Sequence, residues 1–283
     1  MTSHGQATDV VVAVNGTDAS LAAVEWGARE AVTLGCGLRL VHVIGWPFDE
    51  PAEPGAPTTA REEAAEISAQ LLAEAAAHVN ATLPGLTATT STRWGPLGRT
   101  LVDEVDKAQA LVMGRRSRSG FAGALLGSLG LGLAAEAACP VVLIPAPVRG
   151  EPWRAFHPRV VVGVDGSPSC SAALDYAMAH AHRHSLALEA VHAAGPHTAS
   201  ESNVSTVDAV RAMLDGAGRT FPDVRITERR VSGRPVEALT AAAADAALLV
   251  VGCRGRSAAG NASMLGSVSR GAIYLAQSAV AVV

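Results

Sequence analysis

VVVAVNGTDASLAAVEWGAREAVTLGCGLRLVHVIG, residues 10–45, and VVVGVDGSPSCSAALDYAMAHAHRHSLALEAVHAAG, residues 160–195, lie over one another without a gap at an offset of 150. Of these 36 positions, 12 are identical. A second block recurs at an offset of 138, where Gly95 meets Gly233 and ALVMG ending at Gly114 meets LLVVG ending at Gly252. One unit is therefore written twice, and its period is far above the roughly 20–50 residues of solenoid repeats, so each copy is a whole domain. PAPVRGEPWRAFHP, residues 145–158, carries prolines that block helix and central strand alike, and reads as the connection. The expected organisation is a domain over 1–146, a linker over 147–158 and a domain over 159–283.

Within the first copy, VVVAV (10–14), LRLVHV (38–43), LTATTST (86–92), ALVM (110–113) and VVLI (141–144) read as strands. Most lack polar alternation, as strands covered on both faces do. Between them apolar residues recur three and four apart: Leu21, Val24, Ala28 and Ala31, then Ala64, Ile67, Leu71 and Ala75, then Leu97, Leu101 and Val105. These predict amphipathic helices. Strand–helix alternation builds right-handed βαβ units, and so an open, doubly wound α/β sheet in each half. Ligands of such sheets bind beyond the carboxyl ends of the strands, where the strand order reverses.

Composition narrows the function. The 283 residues are 49% hydrophobic and 17% charged, which excludes a disordered or fibrous chain. A net charge of -4 supplies no basic field, so nucleic acid is not an expected partner. Cys36, Cys139, Cys170 and Cys253 form no CxxC pair or metal cluster, which fits a reducing, cytoplasmic setting. No basic leader with an apolar core opens the chain, and the uncharged stretch Ser119–Ala135 is glycine-rich and shorter than the roughly 20 residues of a membrane span.

The chemistry is expected at two repeated places. The first strand of each copy runs into a turn, Asn15–Gly16–Thr17 or Asp165–Gly166–Ser167. The fourth strand runs into a glycine-rich loop, Gly114–Ser128 in one copy and Gly252–Ser267 in the other. Ser128 and Ser267 stand where helix N-caps are expected, and amides at such an end, with the helix dipole, suit a phosphate chain. Arg115, Arg116, Arg118, Arg254 and Arg256 add positive charge. There is no GxxxxGK[ST], GxGxxG, HExxH or GxSxG run, so Walker-type, dinucleotide, zincin and hydrolase sites lack support. His42 and His192 align inside the second strands and read as packed histidines, since neither has a partner base nearby in sequence.

VDGS after the first strand, VHV in the second, and a fourth-strand loop near G-x2-G-x9-G-[ST] make each half resemble a universal stress protein domain, in tandem. The resemblance implies two five-stranded parallel sheets of adenine nucleotide alpha hydrolase type, strand order 3-2-1-4-5, with domain pairing through the last strands and a homodimer. It also implies bound ATP with magnesium, little or no hydrolysis, and a role in stress, dormancy or growth control. Carried over by position, Asp165 meets the ribose or metal side of the nucleotide, with Asn15 at the same place in the first half. Val41 and Val191 offer backbone to adenine. The phosphate loops are Gly114, Gly127 and Ser128, and Gly252, Gly255, Gly266 and Ser267. Ser117 replaces the second glycine of the first loop, and the second loop has ten residues rather than nine between Gly255 and Gly266. Two other functions stand beside this one: a nucleotide-free scaffold associating through VVLI and AVAVV, and a slow ATPase or self-phosphorylating protein for which no general base can be named.

Overall fold

The computed structural model describes residues 9–45, 58–115, 123–146, 157–194, 202–253 and 265–283. An apolar run ended by the Asn15–Gly16 turn gives β1 (Val10–Ala13), with Val10, Val11 and Val12 all buried. α1 (Asp18–Leu34) starts at once, because the Thr17 hydroxyl accepts the Ser20 amide at 3.2 Å and so caps it. Gly35, at φ 65°, ends that helix in the left-handed conformation. The first copy continues with β2 (Leu38–Ile44), α2 (Thr58–Thr82), β3 (Ala88–Trp94), α3 (Leu97–Glu104), β4 (Ala110–Arg115), α4 (Gly123–Glu136) and β5 (Val141–Pro145). The second has β6 (His157–Gly163), α5 (Pro168–Arg183), β7 (Ala187–Ala194), α6 (Ser202–Thr220), β8 (Ile226–Ser232), α7 (Pro235–Ala242), β9 (Ala246–Val251), α8 (Ser267–Leu275) and β10 (Ala279–Val282).

The described residues form two compact units, each built on five parallel strands. The first has the order β3-β2-β1-β4-β5, and the second β8-β7-β6-β9-β10. Both are open doubly wound sheets, as the sequence pattern predicts, in the 3-2-1-4-5 order that the resemblance implies. Val12 lies between Leu40 on β2 and Val112 on β4, and Val162 between Ala190 on β7 and Val250 on β9. The strand order therefore reverses at the first strand of each unit, and sheets of this kind bind ligands where the carboxyl end of that strand meets that of the fourth.

Two expectations are corrected. The apolar spacing predicts a stripe on Ala64, Ile67, Leu71 and Ala75 of α2, yet Ile67 is 64% exposed and the buried line is Ser68, Leu72, Ala75 and Val79. Ser68 tolerates that burial because its hydroxyl meets that of Thr92 on β3 at 2.7 Å. Likewise Leu21 and Leu97 sit on the exposed rims of their helices, while Val24, Ala28, Ala31, Leu101 and Val105 are buried. The second correction concerns the proline-rich stretch 145–158: Pro145 ends β5, and Pro158, which the sequence places in the linker, belongs to β6. A register shift between His157 and Val160 accommodates Pro158, the irregularity at which a strand accepts proline.

Candidate functional site

The first-strand turns are built alike. Gly16 and Gly166 have φ of 73° and 74°, which glycine adopts without strain. Asn15 Oδ1 accepts the Thr17 amide at 3.3 Å and the Thr17 hydroxyl at 2.7 Å, while Asp165 Oδ1 accepts the Ser167 amide at 2.9 Å. Each side chain thus folds its own turn and prepares the helix cap that follows, Thr17 for α1 and Ser167 for α5. The turns back onto the second helix of their unit: a Cβ on Gly16 would stand 3.1 Å from Leu71, and one on Gly166 3.5 Å from Thr206. The two differ in charge, with a carboxylate at Asp165 and a neutral amide at Asn15.

Val41 and Val191 do not offer their backbone to a ligand. Both side chains are buried, and their carbonyls accept the Val14 and Val164 amides at 2.8 and 3.0 Å. The β1–β2 ladder closes at Ala13 and Val41, and the His42 ring nitrogen Nδ1 then donates to the Val14 carbonyl at 2.6 Å. His42 is therefore a half-buried brace at the end of β1, whereas His192 is buried. Strand residues two apart present their N–H and C=O in the same direction. The groups that face the crevice beyond the last rung are those of Val43, and by the same register those of Ala193 after Gly163–Val191. Counting pleats onward from the Gly16 and Gly166 turns would have found both.

Gly114 ends the apolar part of β4, and its role is steric. A Cβ there would overlap the Ala19 carbonyl and lie 2.6 Å from the Ser20 nitrogen, so the bare backbone lets the start of α1 close against β4. Arg115 follows, half-buried, and burial alone pushes its pKa down to about 10, which leaves it charged at neutral pH. Ser117 and Gly255 lie outside the described residues, as do Arg116, Arg118, Arg254 and Arg256. Gly127 and Ser128 lie inside α4, which begins at Gly123; Ser128 is not the N-cap. Ala124, Leu125 and Leu126 are strong helix formers that extend the helix through Gly127.

In the second unit the N-cap is Gly266, with φ -61° and ψ 155°, and Ser267 is the first helical residue. The Gly266 amide donates to the Cys253 carbonyl at 2.9 Å, which removes it from the donors expected to meet phosphate. The Ser269 hydroxyl donates to the Gly252 carbonyl at 2.6 Å, tying the end of β9 to the first turn of α8. Gly266 contributes no side-chain cap, so the opening amides of α8 keep the donor character of a helix N-terminus. The structure thus brings the Asp165 turn, Gly252 and the start of α8 to one end of one sheet, and the Asn15 turn and Gly114 to the corresponding end of the other. Among the described residues no helix is long and apolar enough to cross a membrane.

The universal stress protein family matches the chain twice, over residues 7–145 and 157–283. The chain belongs to the universal stress protein family, with two family domains in tandem. It is 33% identical over 301 aligned residues to Universal stress protein Rv1996 of Mycobacterium tuberculosis, which covers 96% of this chain and 94% of that protein. A universal stress protein of Mycolicibacterium smegmatis is 32% identical, covering 92% of this chain and 91% of its own length. A crystal structure of a universal stress protein from Archaeoglobus fulgidus superposes with a TM-score of 0.72 at 20% identity, over 98% of this chain and 96% of that one, a likeness of fold.

Proposed function

We propose that this tandem protein binds ATP at the carboxyl ends of its sheets and works as a cytoplasmic stress or dormancy regulator with little or no hydrolysis. The observation that carries the reading is in the second unit, where the acidic Asp165 turn and the α8 N-terminus stand at the carboxyl ends of neighbouring strands, β6 and β9. A polyphosphate suits the helix end, a ribose hydroxyl or the magnesium of the nucleotide suits the carboxylate, and a base suits the Ala193 backbone. The first unit offers the same frame with Asn15 in place of the acid.

Reciprocal exchange tests this reading. Asp165→Asn should weaken Mg-ATP binding about tenfold in the second unit, the loss of one charge-assisted contact, and Asn15→Asp should tighten the first. Isothermal titration of the full chain with ATP and magnesium measures both. A chain that takes up no ATP, or the same affinity in all three proteins, refutes the assignment.

A further inference from the structure

The sequence A-H-A-H-R-H, residues 179–184, closes α5 and is absent from the matching turn of α1, where the residues are Glu30, Val32 and Leu34. His180 and His184 are one helical turn apart, with the His184 amide donating to the His180 carbonyl at 3.1 Å. This places both rings on one face of the helix. Their centroids are 4.3 Å apart with the planes tilted by 37°. Tyr176, one turn earlier, stacks on His180 at 6.2 Å and 17°, which orients that imidazole. His182 faces elsewhere and is engaged by Asp223 at 2.7 Å.

We propose that His180 and His184 form a transition-metal site on α5, chelating one Ni²⁺- or Zn²⁺-class ion, separate from the nucleotide crevices. The ring nitrogens of the pair already lie within 4.8 Å of one another. An ion held at about 2.1 Å from each nitrogen needs them about 3.0 Å apart in the 90° geometry of Ni²⁺ or about 3.4 Å apart in the tetrahedral geometry of Zn²⁺, so binding requires the two rings to close on the ion. The two imidazoles fill two positions of the ion, and imidazole is a ligand that both metals accept. Location adds a further term. α5 ends here, with His184 as its C-cap and Ser185 at φ 53° turning the chain away. The carbonyl end of a helix dipole favours a cation. The crevice lies at the opposite end of α5, whose N-cap is Ser167, so metal and nucleotide occupy different ends of one helix.

Equilibrium dialysis of the full, nucleotide-free chain against NiCl2 tests the site. Wild type should retain one ion, His184→Ala should lose affinity about tenfold or more, and His182→Ala should behave as wild type. Equal retention by His184→Ala and wild type, or an equal loss in His182→Ala, overturns the proposal. A readout on the unmutated protein stands beside the variants, since His180 is buried: substoichiometric Ni²⁺ should broaden two histidine ring spin systems together in the carbon-13 spectrum, of which one should be absent from the spectrum of His180→Gln and the other from that of His184→Ala. Broadening confined to other histidines refutes it.

Discussion

Arg39 and Arg159 make the same bond from non-equivalent strands: the Nη2 of Arg39 donates to the Glu104 carbonyl at 2.9 Å, and that of Arg159 to the Ala242 carbonyl at 2.8 Å. The acceptors correspond, being the last residues of α3 and α7. The donors do not, for Arg39 stands on β2 and Arg159 on β6. At the offset of 150, Arg159 matches Asp9 and Arg39 matches Glu189. The two copies have exchanged the signs of a facing pair, Asp9 with Arg39 and Arg159 with Glu189, and kept a cation on the carbonyl end of a helix. Arg159→Ala should cost about 2 kcal/mol, the scale of a charged hydrogen bond lost to half-buried partners. Arg159→Glu combined with Glu189→Arg should recover only a small part of that loss in urea unfolding, because the new acid would stand beside Asp245, now 2.6 Å from Arg159, and the new arginine beside Arg229, now 3.3 Å from Glu189. A double variant as stable as wild type would show that the copies are interchangeable here.

Ser68 and Thr92 set the rotation of α2 over β3. Ser68→Ala leaves the Thr92 hydroxyl facing an apolar neighbour and should cost about 1 kcal/mol. Adding Thr92→Val should cost less than the two single changes summed, because both partners are then removed together. Ile67→Ser, on the exposed side of the same helix, should lie within about 0.5 kcal/mol of wild type. Thermal and urea unfolding of the four variants decide the matter. An Ile67 variant as damaging as that of Ser68 would put the buried stripe back on Ile67.

Gly114 and Gly132 make opposite predictions from the same substitution. Gly114→Ala drives a methyl into the backbone of Ala19 and Ser20, and overpacking of that kind should cost about 2–3 kcal/mol and weaken any ligand of the first unit. Gly132, within α4, has no atom within 4 Å of its Cβ position, and Gly132→Ala should stabilise by about 0.5–1 kcal/mol through helix propensity. Circular-dichroism melts report both signs, and destabilisation by both variants would contradict this view of α4.

The repeat made the fold legible. The two offsets, 150 and 138, fix the first, second and fourth strands of each unit, and the apolar runs fall within one or two residues of β1, β2, β4 and β5. Helix rotation was harder to read, since Ile67 and Leu71 match a helical stripe as well as Ser68 and Leu72 do, and only the Thr92 hydroxyl opposite breaks the tie. At the site, the acidic and amide turns were legible because their side chains act on their own backbone two residues on. The resemblance implies adenine contacts at Val41, one pleat short of where the ladder stops. The Gly16 turn ends β1, His42 takes the last carbonyl, and the backbone beyond belongs to Val43. Caps were misread for a related reason: a serine at a loop's end looks like an N-cap, yet Gly266 holds that role in α8 and α4 starts before Ser128.

Cys139 predicts an alkaline limb in stability. Burial pushes its thiol from 9.0 to about 11, while the same thiol in the unfolded chain ionises near the ordinary value. The folded pKa is thus the higher one. The contribution is whole below pH 9 and fades as pH climbs toward 11, because the unfolded state sheds its proton first. Cys170 is raised by burial too, and Cys36 by burial with Asp9 and Glu30 adding to it, so both act with the same sign. Cys139→Ala should be less stable than wild type by a constant amount up to pH 9, and the gap should then narrow by about 2 kcal/mol by pH 11. Tyrosine and lysine ionisation is common to both proteins and cancels in the difference. Urea midpoints at a series of pH values from 8 to 11 give that difference directly, and parallel curves would mean that the Cys139 thiol ionises as readily in the folded chain as in the unfolded one.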